Sequence, residues 1–117
     1  MRPVPTNLDL SALIGQEITQ LRIGAWQLQI LFESEQKISC EGTVIVDAGE
    51  CSRPVLTKNG WGDFSALRGL VGSKVETWKV EGSHEFSITL GGGTKIHFRS
   101  TTGPHEDFVI HPQMIII

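Results

Sequence analysis

Apolar and polar positions alternate most regularly in two stretches of the chain. Trp26, Leu28, Ile30 and Phe32 share one phase, and His84, Phe86, Ile88 and Leu90 share another. A period of two is the signature of a half-buried strand. Just upstream of each stretch the alternation slips. Ile18, Leu21 and Ile23 fall out of step, and so do Val75, Trp78 and Val80. A β-bulge near Thr19-Gln20, and another near Glu76-Thr77, would produce that slip and bend each strand. Turn residues punctuate the pattern: Gly24-Ala25 and Glu81-Gly82-Ser83 after the first strands, "ESEQ" (33–36) and "GGGT" (91–94) after the second. A third strand is predicted from Lys37 to about Val46 and again from Lys95 to about Ser100. Phe108 to His111 reads as a further strand, and Met114 to Ile117 as an apolar tail.

The predicted elements come in two sets because the sequence echoes itself. "LIGQEITQLRI" (13–23) aligns without gaps on "LVGSKVETWKV" (70–80), and one inserted residue then brings Leu28, Ile30 and Phe32 onto Phe86, Ile88 and Leu90. Each set is announced by a matching phrase, "DLSAL" and "DFSAL". Asp9 and Asp63 are placed to cap short helices, with Gly15 and Gly72 ending them in the left-handed region. Helices this short do not hold on propensity alone. Leu10, Leu13, Phe64 and Leu67 are therefore expected to dock on a sheet, and Trp26 and Trp78 to lie in the core by phase.

The expected fold is mainly β with a minor helical part. Two tandem helix–β–β–β repeats would form a pseudo-two-fold antiparallel β sandwich or half-open barrel. The expected organisation is a single domain, 1–117, with repeat one at about 8–46, a connecting loop at 47–62, repeat two at about 63–111 and a C-terminal edge segment at 112–117. Three terminal isoleucines left free would invite aggregation. They are expected to add an edge strand or to pair with a second chain, making a homodimer through Met114 to Ile117.

Composition narrows the setting. Of 117 residues, 39% are hydrophobic, enough for one core, and no apolar run approaches the length of a membrane-spanning helix. The N-terminal stretch lacks the pattern of a secretory signal, so a cytoplasmic protein is expected. The formal net charge is −3 and the Lys and Arg residues are scattered, which argues against a nucleic-acid partner. The two cysteines form no framework. Cys40 is in phase with Ile38 and reads as core, whereas Cys51 lies in a turn-rich loop.

The search for chemistry yields little. His97, His105 and His111, with Glu106 and Asp107, crowd the end of the chain, but their spacing fits no zinc pattern, so no metal is expected. The glycines at 91–93 lie between alternating strands, where a hairpin turn belongs rather than a phosphate cradle. There is no G-x-S-x-G nucleophile elbow. Ser11 and Ser65 occupy equivalent helix starts and read as scaffold. No catalytic residue and no cofactor is predicted. Candidate contacts for a ligand or protein partner are Trp61, set between two glycines in the connecting loop, together with His84, His97, Cys51, His105, Glu106 and Asp107.

The segments "LIGQEITQLRIG…LQILFES…ISCEG", "LRGLVGSKVE…GGGTKIHF" and "HEDFVI" resemble a family of small bacterial cytosolic proteins. Some of these are carried beside polymorphic-toxin genes. The chain departs from the family pattern at Glu106-Asp107-Phe108, where Tyr-Glu-Ser is usual, and at Ser34-Glu35, where a Gly is usual. The resemblance implies an immunity-like role and carries no catalytic residues. The expected function is a non-enzymatic protein-interaction module. The alternative is a small-ligand binder or minor enzyme using a cleft between the repeats.

Overall fold

The computed structural model describes residues 4–5, 7–49, 52–57, 59–100 and 107–117. They form two antiparallel sheets and, beyond those, only two 3-10 turns, Ser11–Leu13 and Phe64–Leu67. The strands are β1 (Ile18–Ile23), β2 (Leu28–Phe32), β3 (Lys37–Cys40), β4 (Thr43–Asp47), β5 (Ser52–Thr57), β6 (Gly60–Trp61), β7 (Val75–Gly82), β8 (Glu85–Leu90), β9 (Lys95–Arg99), β10 (Phe108–His111) and β11 (Ile115–Ile116). One sheet has the order β1-β2-β3-β10-β11 and the other β6-β5-β4-β9-β8-β7. No helix among the described residues is long and apolar enough to cross a membrane.

Both meanders have the predicted bulges. Register shifts between Ile18 and Gln20 on β1, and between Val75 and Thr77 on β7. The two strands also meet. Gly15 N–H donates to Val75 O (2.8 Å) and Gly72 N–H to Ile18 O (2.7 Å), while Ile18 N–H donates to Ser73 O (2.8 Å) and Val75 N–H to Gln16 O (3.0 Å). Gly15 and Gly72 have positive φ, +83° and +94°, as the sharp entry to each strand requires.

The predicted third strand, 37–46, is in fact two strands in different sheets. β3 pairs with β2 and β10, whereas β4 pairs with β5 and β9. The chain changes sheets at Glu41-Gly42, whose N–H groups both donate to Asp107 O (2.7 and 3.0 Å). A Cβ on Gly42 would lie 2.8 Å from both Asp107 Cβ and the Phe108 ring, so only glycine fits the crossing. The break is hidden in the sequence because it spans two residues. Ile38, Cys40, Val44 and Val46 keep a common phase across it, and all four are buried.

The connecting loop expected at 47–62 contains β5 and β6. Its Ser, Pro, Asn and Gly residues suggested a loop, yet Pro54 is accommodated opposite Ile45, beside a register shift that follows Val44, as proline in a sheet requires. The helices are single 3-10 turns. Asp9 and Asp63 each accept from the amide of the serine two residues on, Ser11 N–H and Ser65 N–H (both 2.9 Å), although the first turn starts a residue later, with Leu10 at its N-cap position. Gly69, at φ +83°, follows the second turn, and Gly72 instead leads into β7.

The inner faces of both sheets contribute to one buried cluster. Phe86 and Phe98 stack with ring centroids 4.7 Å apart, and Phe108, from the other sheet, meets both edge-on at 5.7 and 5.6 Å. Cys40 is a free, fully buried thiol, and burial pushes its pKa up, which makes it a packing residue rather than a nucleophile. The isoleucine tail pairs within the chain: β11 adds an edge strand to β10, and Ile117 is buried.

Candidate functional site: an aromatic ledge and a histidine network

Two predicted core aromatics lie outside the core. Trp26 is 61% exposed and Phe64 50% exposed. Trp26 occupies the turn between β1 and β2 rather than the strand, so its phase carries no burial. Phe64 opens the second 3-10 turn, which docks through Leu67 instead.

Trp61 links the segments that carry these two residues. Its Nε1–H donates to Gly24 O (2.8 Å) in the β1–β2 turn. Its ring stacks on Phe64, with centroids 5.1 Å apart and planes 25° apart. Trp26 in turn lies over Gly60, where an added Cβ would sit 3.2 Å from its ring. Gly60 has φ +109°, so it supplies both the tight β5–β6 turn and the close approach. Trp61 itself is partly buried against the core cluster. The ledge thus bridges a turn of one sheet and a hairpin of the other.

Beside it, Arg53 Nη1 donates to Asp63 Oδ2 (2.6 Å) and to Ser65 Oγ (3.2 Å). Bonds from the Ser65 hydroxyl, then from Arg53 and the Ser65 amide, hold the Asp63 carboxyl below the usual carboxylate range. Ser65→Ala is expected to raise the Asp63 titration midpoint toward its ordinary value, read by carboxyl-carbon NMR. Because the folded pKa is depressed, the stabilisation linked to it is present above the ordinary carboxylate pKa. It is lost as pH falls through the folded value. The variant should therefore lose less stability on acidification over that window. An unmoved Asp63 midpoint would show that the hydroxyl does not hold the carboxylate.

A second group lies on the outer face of the β4-β9-β8-β7 sheet. His97 Nδ1 is 3.0 Å from Glu85 Oε2, and its Nε2 is 3.9 Å from Asp47 Oδ2. Arg99 Nε donates to the other Glu85 oxygen at 2.8 Å. Glu81 completes the group, receiving the Ser87 hydroxyl at 3.4 Å and facing Lys79 Nζ at 3.7 Å.

The remaining predicted site residues are dispersed. His84 sits in the β7–β8 turn with Nδ1 2.9 Å from Ser83 Oγ. Asp107 is buried and accepts from Ser100 Oγ at 2.8 Å, which makes it a structural anchor of the sheet crossing. Cys51, His105 and Glu106 lie outside the described residues. A cavity of about 210 Å³ opens beside the second 3-10 turn, lined by Val46, Ala48, Arg53, Ser65, Ala66 and Arg68. None of Trp61, His84, His97 or Asp107 lines it.

Trp26, Phe64, Glu81 and Glu85 were missed by sequence reasoning. A turn signal did precede Trp26, at Gly24-Ala25, and could have outweighed its strand phase. No family model, curated protein or solved structure matches the chain.

Proposed function

We propose that the chain is a non-enzymatic cytoplasmic protein-interaction module whose partner docks on the ledge of Trp26, Trp61 and Phe64. The observation carrying this reading is the exposure of Trp26, at 61%, while its ring lies against the Gly60 backbone. Rigid, partly exposed aromatics give large contact area at low entropic cost and are enriched at binding hot spots. The family resemblance suggests an immunity-like role, with a toxin-class protein as the partner.

The finer architecture belongs to the same proposal. The chain is read as two tandem units related by a pseudo-two-fold axis in a β sandwich. Exchange of the seam bonds supports it: Gly15 to Val75 matches Gly72 to Ile18, and Ile18 to Ser73 matches Val75 to Gln16, when residues 13–23 are aligned on 70–80. The ledge has no second copy under that relation, because the aligned positions of Trp26 and Phe64 hold His84 and Leu10. One partner per chain is the consequence.

The test compares proteins captured from a native bacterial lysate by the wild-type chain, by a Trp26→Ala, Phe64→Ala double variant, and by an Ile23→Ala control. A partner held through the ledge is lost from the double variant and kept by the control. Its measured affinity should fall tenfold or more, on the order of 1.4 kcal/mol, with little change in Tm. Identical capture by all three proteins would overturn the reading.

A further inference from the structure

We propose that Glu81, Glu85 and His97 form a site for a late first-row divalent cation of the zinc type, on the outer face of the β4-β9-β8-β7 sheet. One ligand atom from each lies within 4.8 Å of the others. Metal–ligand bonds of about 2.1 Å at a tetrahedral angle separate ligand atoms by roughly 3.4 Å. Closing the gap takes side-chain movement of about an ångström by that measure. The His97 Nδ1 to Glu85 Oε2 separation, 3.0 Å, already approaches it.

The backbone delivers these groups in a way that spacing along the chain conceals. Glu85 and His97 come from adjacent strands, with Glu85 paired to Arg99 and Ser87 paired to His97, so they are diagonal neighbours on one face. Glu81 sits at a second register shift in β7, between Val80 and Gly82. A bulge re-aims a side chain, and here the Glu81 carboxylate reaches the hydroxyl of Ser87, a residue only 1% exposed.

The surrounding groups divide the donor atoms as a metal would need. Arg99 engages Glu85 Oε1 and leaves Oε2 toward His97. Ser87 and Lys79 engage Glu81 Oε1 and leave its other oxygen. His97 Nδ1 and Glu85 Oε2 make the shorter contact, and a cation entering between them would displace the proton held there and leave Nε2–H facing Asp47 Oδ2, 3.9 Å away. Asp47 is held in turn by the Gly49 amide at 3.0 Å. Three carboxylates, those of Glu81, Glu85 and Asp47, lie around His97, with Lys79 and Arg99 bonded to two of them and Lys95 paired opposite Asp47. Carboxylate oxygens beside an imidazole nitrogen are a donor set for a divalent cation. One imidazole nitrogen among carboxylate oxygens favours the zinc-type ions over magnesium or calcium.

Titrating the full-length chain with Co²⁺, followed by visible absorption, and with Zn²⁺, followed by calorimetry, tests the site. One equivalent should bind saturably, and Zn²⁺ should raise Tm. His97→Ala, Glu85→Gln and Glu81→Gln should each lower the affinity tenfold or more and abolish the Tm shift, with about a tenfold loss for Asp47→Asn. If the alanine variant does not fold by circular dichroism, His97→Gln gives the same readout. Absence of saturable binding would overturn the proposal. So would binding that survives the His97 substitution and is removed instead by His84→Ala.

Discussion

Phe108→Ala is expected to destabilise the chain by about 3–5 kcal/mol, seen as a lower urea midpoint with an unchanged slope. Phe108 is fully buried, and its ring meets Phe86 and Phe98 edge-on from the opposite sheet. Truncation therefore removes aromatic contacts on both sides of the inter-sheet core and leaves a void that rigid strands close poorly. The neighbouring backbone is already committed, since Gly42 abuts the Phe108 ring where the chain changes sheets. For a domain whose total stability is on the order of 5–15 kcal/mol, such a loss is a large fraction. Ile23→Ala, at a residue 52% exposed on β1, serves as the reference and should cost about 0.5 kcal/mol or less. Similar midpoints for the two variants would mean that Phe108 does not tie the sheets together.

Legibility of this fold in the sequence follows the range of the interactions. Strands β2, β8 and β9 and the bulges in β1 and β7 were visible because alternation and its slips are local, set by which side of one strand faces the core. The switch between β3 and β4 was not visible. A two-residue break leaves the side-chain phase intact, and the cause, close approach of Asp107 and Phe108 to Gly42, lies far along the chain. Likewise β5 was masked by Pro54, whose tolerance depends on a register shift in the pairing with β4.

The candidate sites divide the same way. Trp61 was recognisable from its glycine flanks, and His97 as one of few histidines. Their neighbours were not, because contact with each is made across paired strands or between turns. Trp61 reaches Gly24 across 37 positions, and His97 reaches Glu85 across 12. Trp26 shows the opposite error. Its phase continued β2 correctly, but the strand begins at Leu28, and phase says nothing about burial in a turn.

The ledge and the fold meet at Gly62, and Gly62→Ala is expected to damage both. A Cβ there would lie 2.3 Å from Pro54 O and 3.1 Å from Pro54 C, which are backbone atoms that cannot swing aside. Pro54 O also accepts from Asp63 N–H (3.1 Å), while Gly62 N–H donates to Val55 O (2.7 Å). Relieving the clash means parting this segment from β5 and weakening both bonds. Together these effects cost about 2–4 kcal/mol. Because Trp61 precedes Gly62 and Phe64 follows two residues later, the stack between their rings should loosen in the fraction that remains folded. Partner binding should then fall further than the folded population accounts for. Gly82→Ala separates this effect from glycine replacement in general. Gly82 has open space where its Cβ would be, so the change should stay within about 0.5 kcal/mol. A Gly62→Ala chain as stable as the Gly82→Ala chain would show that the contact between Gly62 and Pro54 does not anchor the ledge to β5.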